Sequence, residues 1–150
     1  KNTPKGYVGA ISISVSVPKW YGAVDQMREL TPYGFMRDGL QSYIPKYEAL
    51  LKRLDPGSVL QDALDLVYKK ALRRGYSDEE AGKVVPVLLC WESPGDFCHR
   101  RMIAKWIEEE KGLKVPEVKF KNMKPYEIEY KRPGKKEERV ESIESQLTIF

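Results

Sequence analysis

Residues 90–100 hold most of the side chains in this chain that could do chemistry. Cys90, Glu92, Cys98, His99 and Arg100 all fall there, and they include both cysteines and the only histidine of the 150 residues. A thiol, a carboxylate and an imidazole close together suit nucleophilic or general acid–base chemistry, and a guanidinium suits an anion. Asp96 is a good helix N-cap, which would put residues 97–100 in a first helical turn. Such a turn offers unpaired N–H groups and a positive partial charge, so it favours anions, and Arg100 and Arg101 would add to it. The same field would lower the pKa of Cys98 and make it a candidate thiolate nucleophile. Glu92 is then a candidate general base, or the group that orients His99.

Other chemistries fit these residues less well. Cys90, Glu92, Cys98 and His99 are zinc-type donors, but neighbouring Cys98 and His99 diverge on a helix and no Cys-x-x-Cys pair is present, so no metal is expected. The Cys-x5-Arg loop of cysteine phosphatases is also absent, because Asp96 and Ala104 stand six residues after the two cysteines. A purely structural alternative stays open: Cys90 as a small buried apolar residue, Cys98 packed under the helix, and His99 and Arg100 in structural hydrogen bonds.

The elements that must position these residues are a strand and a helix. Residues 84–90 form a near-continuous apolar run, as expected of a parallel strand covered on both faces. Ile103, Trp106 and Ile107 make the buried stripe of a following helix that Gly112 closes, and residues 115–120 read as the next strand. Strand–helix–strand implies a right-handed crossover and an α/β fold. Earlier, residues 8–17 alternate: Ile11, Ile13, Val15 and Val17 face one way, Ser12, Ser14 and Ser16 the other. Something must approach the small serine face closely, a helix before a ligand. Lys19 and Trp20 follow at the strand's C-terminal end, where ligands bind in open α/β sheets, although Trp20 is expected first to cap the core. A short helix is expected near residues 24–30, then a long loop. Helices are expected at 43–54 and at 58–74, the second capped by Ser58 and ended by Gly75, with a polar link over 77–83. Tyr126, Ile128 and Tyr130 suggest an added edge strand. Residues 1–130 thus form one domain, and 131–150 a linker and tail.

Composition bounds the class. At this length a core needs no disulfides, and two cysteines are read as reduced thiols. No apolar run is long enough for a bilayer and no signal-peptide pattern is seen, so a cytoplasmic protein without membrane contact is expected. The net charge of +4 permits nucleic acid as a partner without demanding it. Residues 119–136 carry seven basic side chains against two glutamates, which fits either a solvated region or a phosphate-contacting patch.

The run Leu88-Leu89-Cys90-Trp91-Glu92, then Cys98-His99-Arg100 and an apolar helix with Ala104 and Trp106, resembles the family catalogued as "domain of unknown function 488". Ile13-Ser14, Pro18-Lys19-Trp20, Leu30-Thr31-Pro32, Tyr43, Tyr47 and Leu50 extend the likeness over roughly residues 9–120. The resemblance implies a Rossmann-like three-layer domain with a mainly parallel sheet. Its motif residues (Lys19, Trp20, Cys90, Glu92, Cys98, His99 and Arg100) would gather at one end of that sheet. It implies no particular reaction and no cofactor.

The last five residues, Gln146-Leu147-Thr148-Ile149-Phe150, resemble the peptide by which bacterial proteins dock on the DNA polymerase sliding clamp. Leu147, Ile149 and Phe150 would be apolar anchors and Gln146 a hydrogen-bonding amide. Folding back on the domain, with residues 147–149 pairing as a strand, is the alternative. The expectation is therefore a small α/β protein that binds a phosphate-bearing nucleotide or nucleic acid at the Cys-His-Arg turn. It would be a hydrolase or transferase with Cys98, His99 and Glu92 as reactive groups and Arg100, Cys90, Lys19 and Trp20 as ligand contacts. A non-catalytic anion-sensing or interaction module is the alternative.

Overall fold

The computed structural model describes residues 3–34, 39–91, 99–129, 138–139 and 148–149. It is a mixed α/β protein. Strand β1 (Ala10–Ser12) lies between β2 (Asp25–Gln26) and β3 (Val87–Leu89), and β7 (Thr148–Ile149) adds to the far side of β3, all parallel, in the order β2-β1-β3-β7. Ile11 pairs with Leu88 and with Asp25. Residues 25–26 thus extend the sheet where a helix was expected; only Arg28–Leu30 coil, as one 3-10 turn.

Four helices follow from ordinary local signals. Helix α1 (Leu40–Lys52) buries Tyr43, Tyr47 and Leu51 at helical spacing. Helix α2 (Pro56–Arg73) begins earlier than its apolar stripe suggests. The Asp55 carboxylate, not Ser58, is the cap: it accepts from the Ser58 amide at 2.9 Å, with Pro56 in the first turn. Gly75 ends it at φ +89°, a left-handed conformation that glycine takes without strain. The link at 77–83 contains α3 (Asp78–Gly82), held by a reciprocal Ser77–Glu80 capping box. Helix α4 (Arg100–Lys111) buries Ile103, Ala104 and Ile107.

After α4 the next strands do not join the parallel sheet. Strands β4 (Glu117–Lys121) and β5 (Lys124–Glu129) form an antiparallel hairpin, extended by β6 (Glu138–Arg139). The expected crossover strand is therefore the first arm of this hairpin. The reason lies in the turn: Asn122 and Met123 both take positive φ, 50° and 66°, which is the two-residue geometry that matches strand twist. Charged residues at alternate positions of β4 also differ from the all-apolar run of a strand covered on both faces.

The parallel sheet separates two packed regions. Ile11, Ile13, Leu88 and Cys90 pack with Tyr47, Val67, Ile103 and Ile107 of the helices. Ala10, Val87 and Leu89 pack with Tyr7, Tyr21 and Val118. Helices thus cover one face, and the hairpin and N-terminal loops the other. Gly9 lets the chain enter β1, because a Cβ there would run into the Val85 carbonyl. No helix among the described residues is long and apolar enough to cross a membrane.

Strand β7 decides between the two fates of the tail for the residues described. Thr148 pairs with Val87 and Ile149 with Leu88, so the fold-back alternative is the one seen; Gln146, Leu147 and Phe150 lie outside the described residues. Deleting residues 146–150 should remove an edge strand and lower stability by on the order of 1–2 kcal/mol, a hydrogen bond or two of ladder. Urea unfolding of the truncated and full chains checks this. Coincident curves would mean that the strand contributes nothing in solution.

Candidate functional site

Two parallel strands end side by side at Ser12 and Leu89, and the site lies where the chain leaves them. Ser14, Val15 and Ser16 follow β1, Trp91 follows β3, His99 immediately precedes α4, and Pro32 and Tyr43 come from the other side. Together they line a cavity of about 180 Å³. This is the place where open parallel sheets bind ligands, because backbone groups and loop side chains converge there.

His99 is its most constrained member. Its ring is 1% exposed and packs edge-on against Tyr47 at 5.1 Å and near Tyr43 at 6.5 Å. Nε2 lies 2.8 Å from the Ile13 carbonyl. A carbonyl only accepts, so Nε2 carries the proton and the lone pair of the neutral ring is on Nδ1. Burial pushes the pKa from 6.5 down to about 4; the Ile13 bond opposes this and the Arg100 charge assists it. His99 is thus a neutral imidazole at physiological pH, and it ties the end of β1 to the start of α4.

That commitment also changes the helix start. Residue 99, in place of the expected Asp96, is the N-cap, and its side chain makes no capping bond because the ring is turned into the core. Asp96, Glu92 and Cys98 lie outside the described residues. Arg100 and Arg101 open the helix, and the buried carboxylate of Glu117 on β4 meets both, at 3.3 and 3.5 Å. The anion expected at this turn is therefore supplied from within the protein. Arg100 also approaches Cys90 Sγ at 3.3 Å. It does not line the cavity. Breaking a buried ion pair by removing one partner costs about 3–5 kcal/mol, but both arginines keep partial exposure, so Glu117→Ala should cost about 2 kcal/mol. Chemical denaturation measures it; a loss below about 0.5 kcal/mol would place the carboxylate among ordinary surface pairs.

Cys90 corrects a second expectation. It is buried at the end of β3 and disulfide-bonded, not a reduced thiol. The other cysteine of the sequence, Cys98, falls in the undescribed stretch. Among the described residues no three His, Cys, Asp or Glu side chains converge to hold a metal.

Trp20 is 62% exposed, so it does not cap the core. It meets Trp91 edge-on at 6.0 Å, and Trp91 meets Tyr21 at 4.8 Å. Through Trp91 the exposed indole extends the aromatic wall of the cavity outward. Lys19 is exposed beside it and does not line the cavity.

The polar groups of the cavity were the least expected. Ser14 Oγ and Trp91 Nε1 are buried with no hydrogen-bond partner among the described residues. Buried polar atoms are nearly always paired, so such groups beside a cavity mark where a ligand or water would bond. With His99 neutral, none of the described residues lining the cavity carries a formal charge. The serine alternation marks Ser14 and Ser16 as a small face expected to meet a helix before a ligand; Pro32 falls in the expected long loop and Tyr43 on a core-facing helical stripe.

Compared with known proteins, the chain matches no family model, no curated protein and no solved structure.

Proposed function

We propose that the protein binds a nucleotide or nucleic acid with one base in the cavity at the ends of β1 and β3. The observation that supports this reading is the character of the cavity: aromatic on Trp91 and Tyr43, uncharged among the described residues, and furnished with the Ser14 hydroxyl and Trp91 N–H, which have no partner among those residues. A flat polar ring matches such a surface better than a phosphate does. A volume of about 180 Å³ leaves room for a ring-sized group. The phosphate would then lie outside, which moves it away from the Cys-His-Arg helix start. Membership of the "domain of unknown function 488" family, and a shortened Rossmann-like form of the parallel sheet, belong to the same proposal. The Cys90, His99 and Arg100 motif residues and the Trp20 wall support it.

Hydrolase or transferase chemistry would fall to Glu92, because the neutral, core-bonded His99 does not supply a proton at neutral pH and no cysteine is a free thiol. Three observations favour the non-catalytic binding module as the second reading. Cys90 is in a disulfide, Arg100 is engaged by Glu117, and the His99 Nε2–H is spent on Ile13. A role at the sliding clamp would require residues 148–149 to leave β3 first.

Thermal shift with the deoxynucleoside monophosphates tests the binding reading. Wild type should be stabilised by at least one of them, and Ser16→Phe, which fills the cavity from an exposed position, should abolish that shift. No shift with any nucleotide, or an equal shift in Ser16→Phe, contradicts it. Product analysis of the stabilising nucleotide separates enzyme from module.

A further inference from the structure

A second feature is built on two of the segments that line the cavity. Tyr33, Lys46, Ala49, Lys52 and Arg53 line a surface groove of about 550 Å³. All five residues are exposed, and Tyr33 is 48% exposed despite its size. None of the described residues lining the groove is acidic. Groove and cavity share their boundary elements. Tyr33 follows Pro32 of the cavity wall, and Lys46 stands one turn of α1 beyond Tyr43 of that wall, so the two are neighbours on the helix surface. Lys46, Ala49 and Arg53 continue along that face for about 10 Å at 1.5 Å per residue. Lys52 and Arg53 also suit the negative end of α1.

We propose that this groove carries the sugar–phosphate chain of a single-stranded nucleic acid, one base of which occupies the cavity. The proposal rests on the base-binding reading above and names its substrate class as a polymer. A cationic groove beside exposed aromatic rings is the usual means of holding a single strand: cations follow the backbone and a ring stacks on a base. Lys46, Lys52 and Arg53 contact phosphates, and Tyr33 stacks on a base next to the inserted one. A base within a duplex is stacked and paired, so it cannot enter the cavity without leaving the helix. The single strand is therefore the form that satisfies groove and cavity together.

The test uses the full chain and a fluorescein-labelled single strand of mixed sequence, about twelve nucleotides long, within the range of such sites. Anisotropy gives affinity as a function of salt. Lys46→Glu with Arg53→Glu should weaken binding about tenfold or more and reduce the salt slope by about 1.4, at about 0.7 per lost phosphate contact. The same variant should keep the wild-type thermal shift with free deoxynucleosides, which have no phosphate and read the cavity alone. Ser16→Phe should lose the deoxynucleoside shift. Unchanged single-strand affinity and slope in the double variant, or no single-strand binding by wild type, overturns the groove. Equal or tighter binding of the matching duplex overturns the single-strand assignment. A deoxynucleoside shift that survives Ser16→Phe, with the groove effect intact, overturns the cavity reading and leaves the groove as an independent polyanion site. Circular dichroism of each variant confirms that the exposed substitutions leave the fold in place.

Discussion

Acidification should strip roughly 3 kcal/mol from the fold through His99 alone, at about 1.4 kcal/mol per unit of pKa difference. The folded state holds this imidazole neutral down to about pH 4, whereas in the unfolded chain it takes a proton near 6.5. Between those values the unfolded state binds more protons, so stability rises with pH across the window. The contribution is complete above pH 6.5 and is lost progressively as pH falls toward 4. Carboxylates titrate in the lower part of the same range. Comparison with His99→Gln isolates the imidazole, because the amide can still donate to the Ile13 carbonyl and does not titrate. The wild type should lose about 3 kcal/mol more than the variant over this interval. Because the chain has one histidine, its ring resonances need no assignment, and their midpoint can be read directly. A midpoint near 6.5, with parallel stability curves for the two proteins, would remove His99 from the buried position described.

The second large effect belongs to Tyr47. Its ring is fully buried, supports His99 edge-on, and stacks on Tyr43 at 6.0 Å; its hydroxyl donates to the Leu30 carbonyl at 2.5 Å. Burial holds its phenol well above the usual tyrosine pKa, so it stays a neutral donor. Tyr47→Ala should destabilise by about 3–5 kcal/mol, the range for deleting a buried aromatic ring. Tyr47→Phe keeps the ring and leaves the Leu30 carbonyl without this donor, which costs about 1–3 kcal/mol. The graded pair matters more than either value. Equal losses in the two variants would mean that the hydroxyl, and not packing against His99, carries the whole contribution.

These residues show what the sequence could and could not convey. Apolar spacing identified the helices around Tyr43–Tyr47, Ala63–Val67 and Ile103–Ile107, because a helix's buried stripe is a local pattern. The same spacing misplaced the start of α2, where Asp55-Pro56 reads as a break and acts as a cap. The Ser77-x-x-Glu80 box lies in a polar stretch with no apolar stripe, so periodicity alone suggests a link there and not a helix. Strand–helix–strand logic put residues 115–120 in the parallel sheet; the decisive feature, two positive φ values at Asn122 and Met123, has only a weak sequence signal. The site was partly legible. Cys90, His99 and Arg100 do gather at one end of the sheet, and Trp20 does stand there. What they do differs, because their partners are distant in sequence. Glu117 engages Arg100 from seventeen residues away, and Ile13 engages His99 from eighty-six. A side chain's charge can be read from its type, but whether that charge is already answered depends on the tertiary fold. The tail shows the same limit. Its apolar residues suit a partner's pocket and a sheet edge alike, and the described part lies on β3.

The base-binding cavity is tested most directly by the indole N–H signals of the three tryptophans in a ¹H–¹⁵N spectrum, assigned by single Trp→Phe substitutions. Trp91 lines the cavity, Trp20 stands beside it, and Trp106 lines a separate groove between α1 and α4. Titration with a stabilising deoxynucleoside monophosphate should shift the Trp91 signal most, as its buried N–H gains a partner, and Trp20 less, while Trp106 stays in place. A shift confined to Trp106, or none at Trp91 at saturating nucleotide, would contradict the assignment.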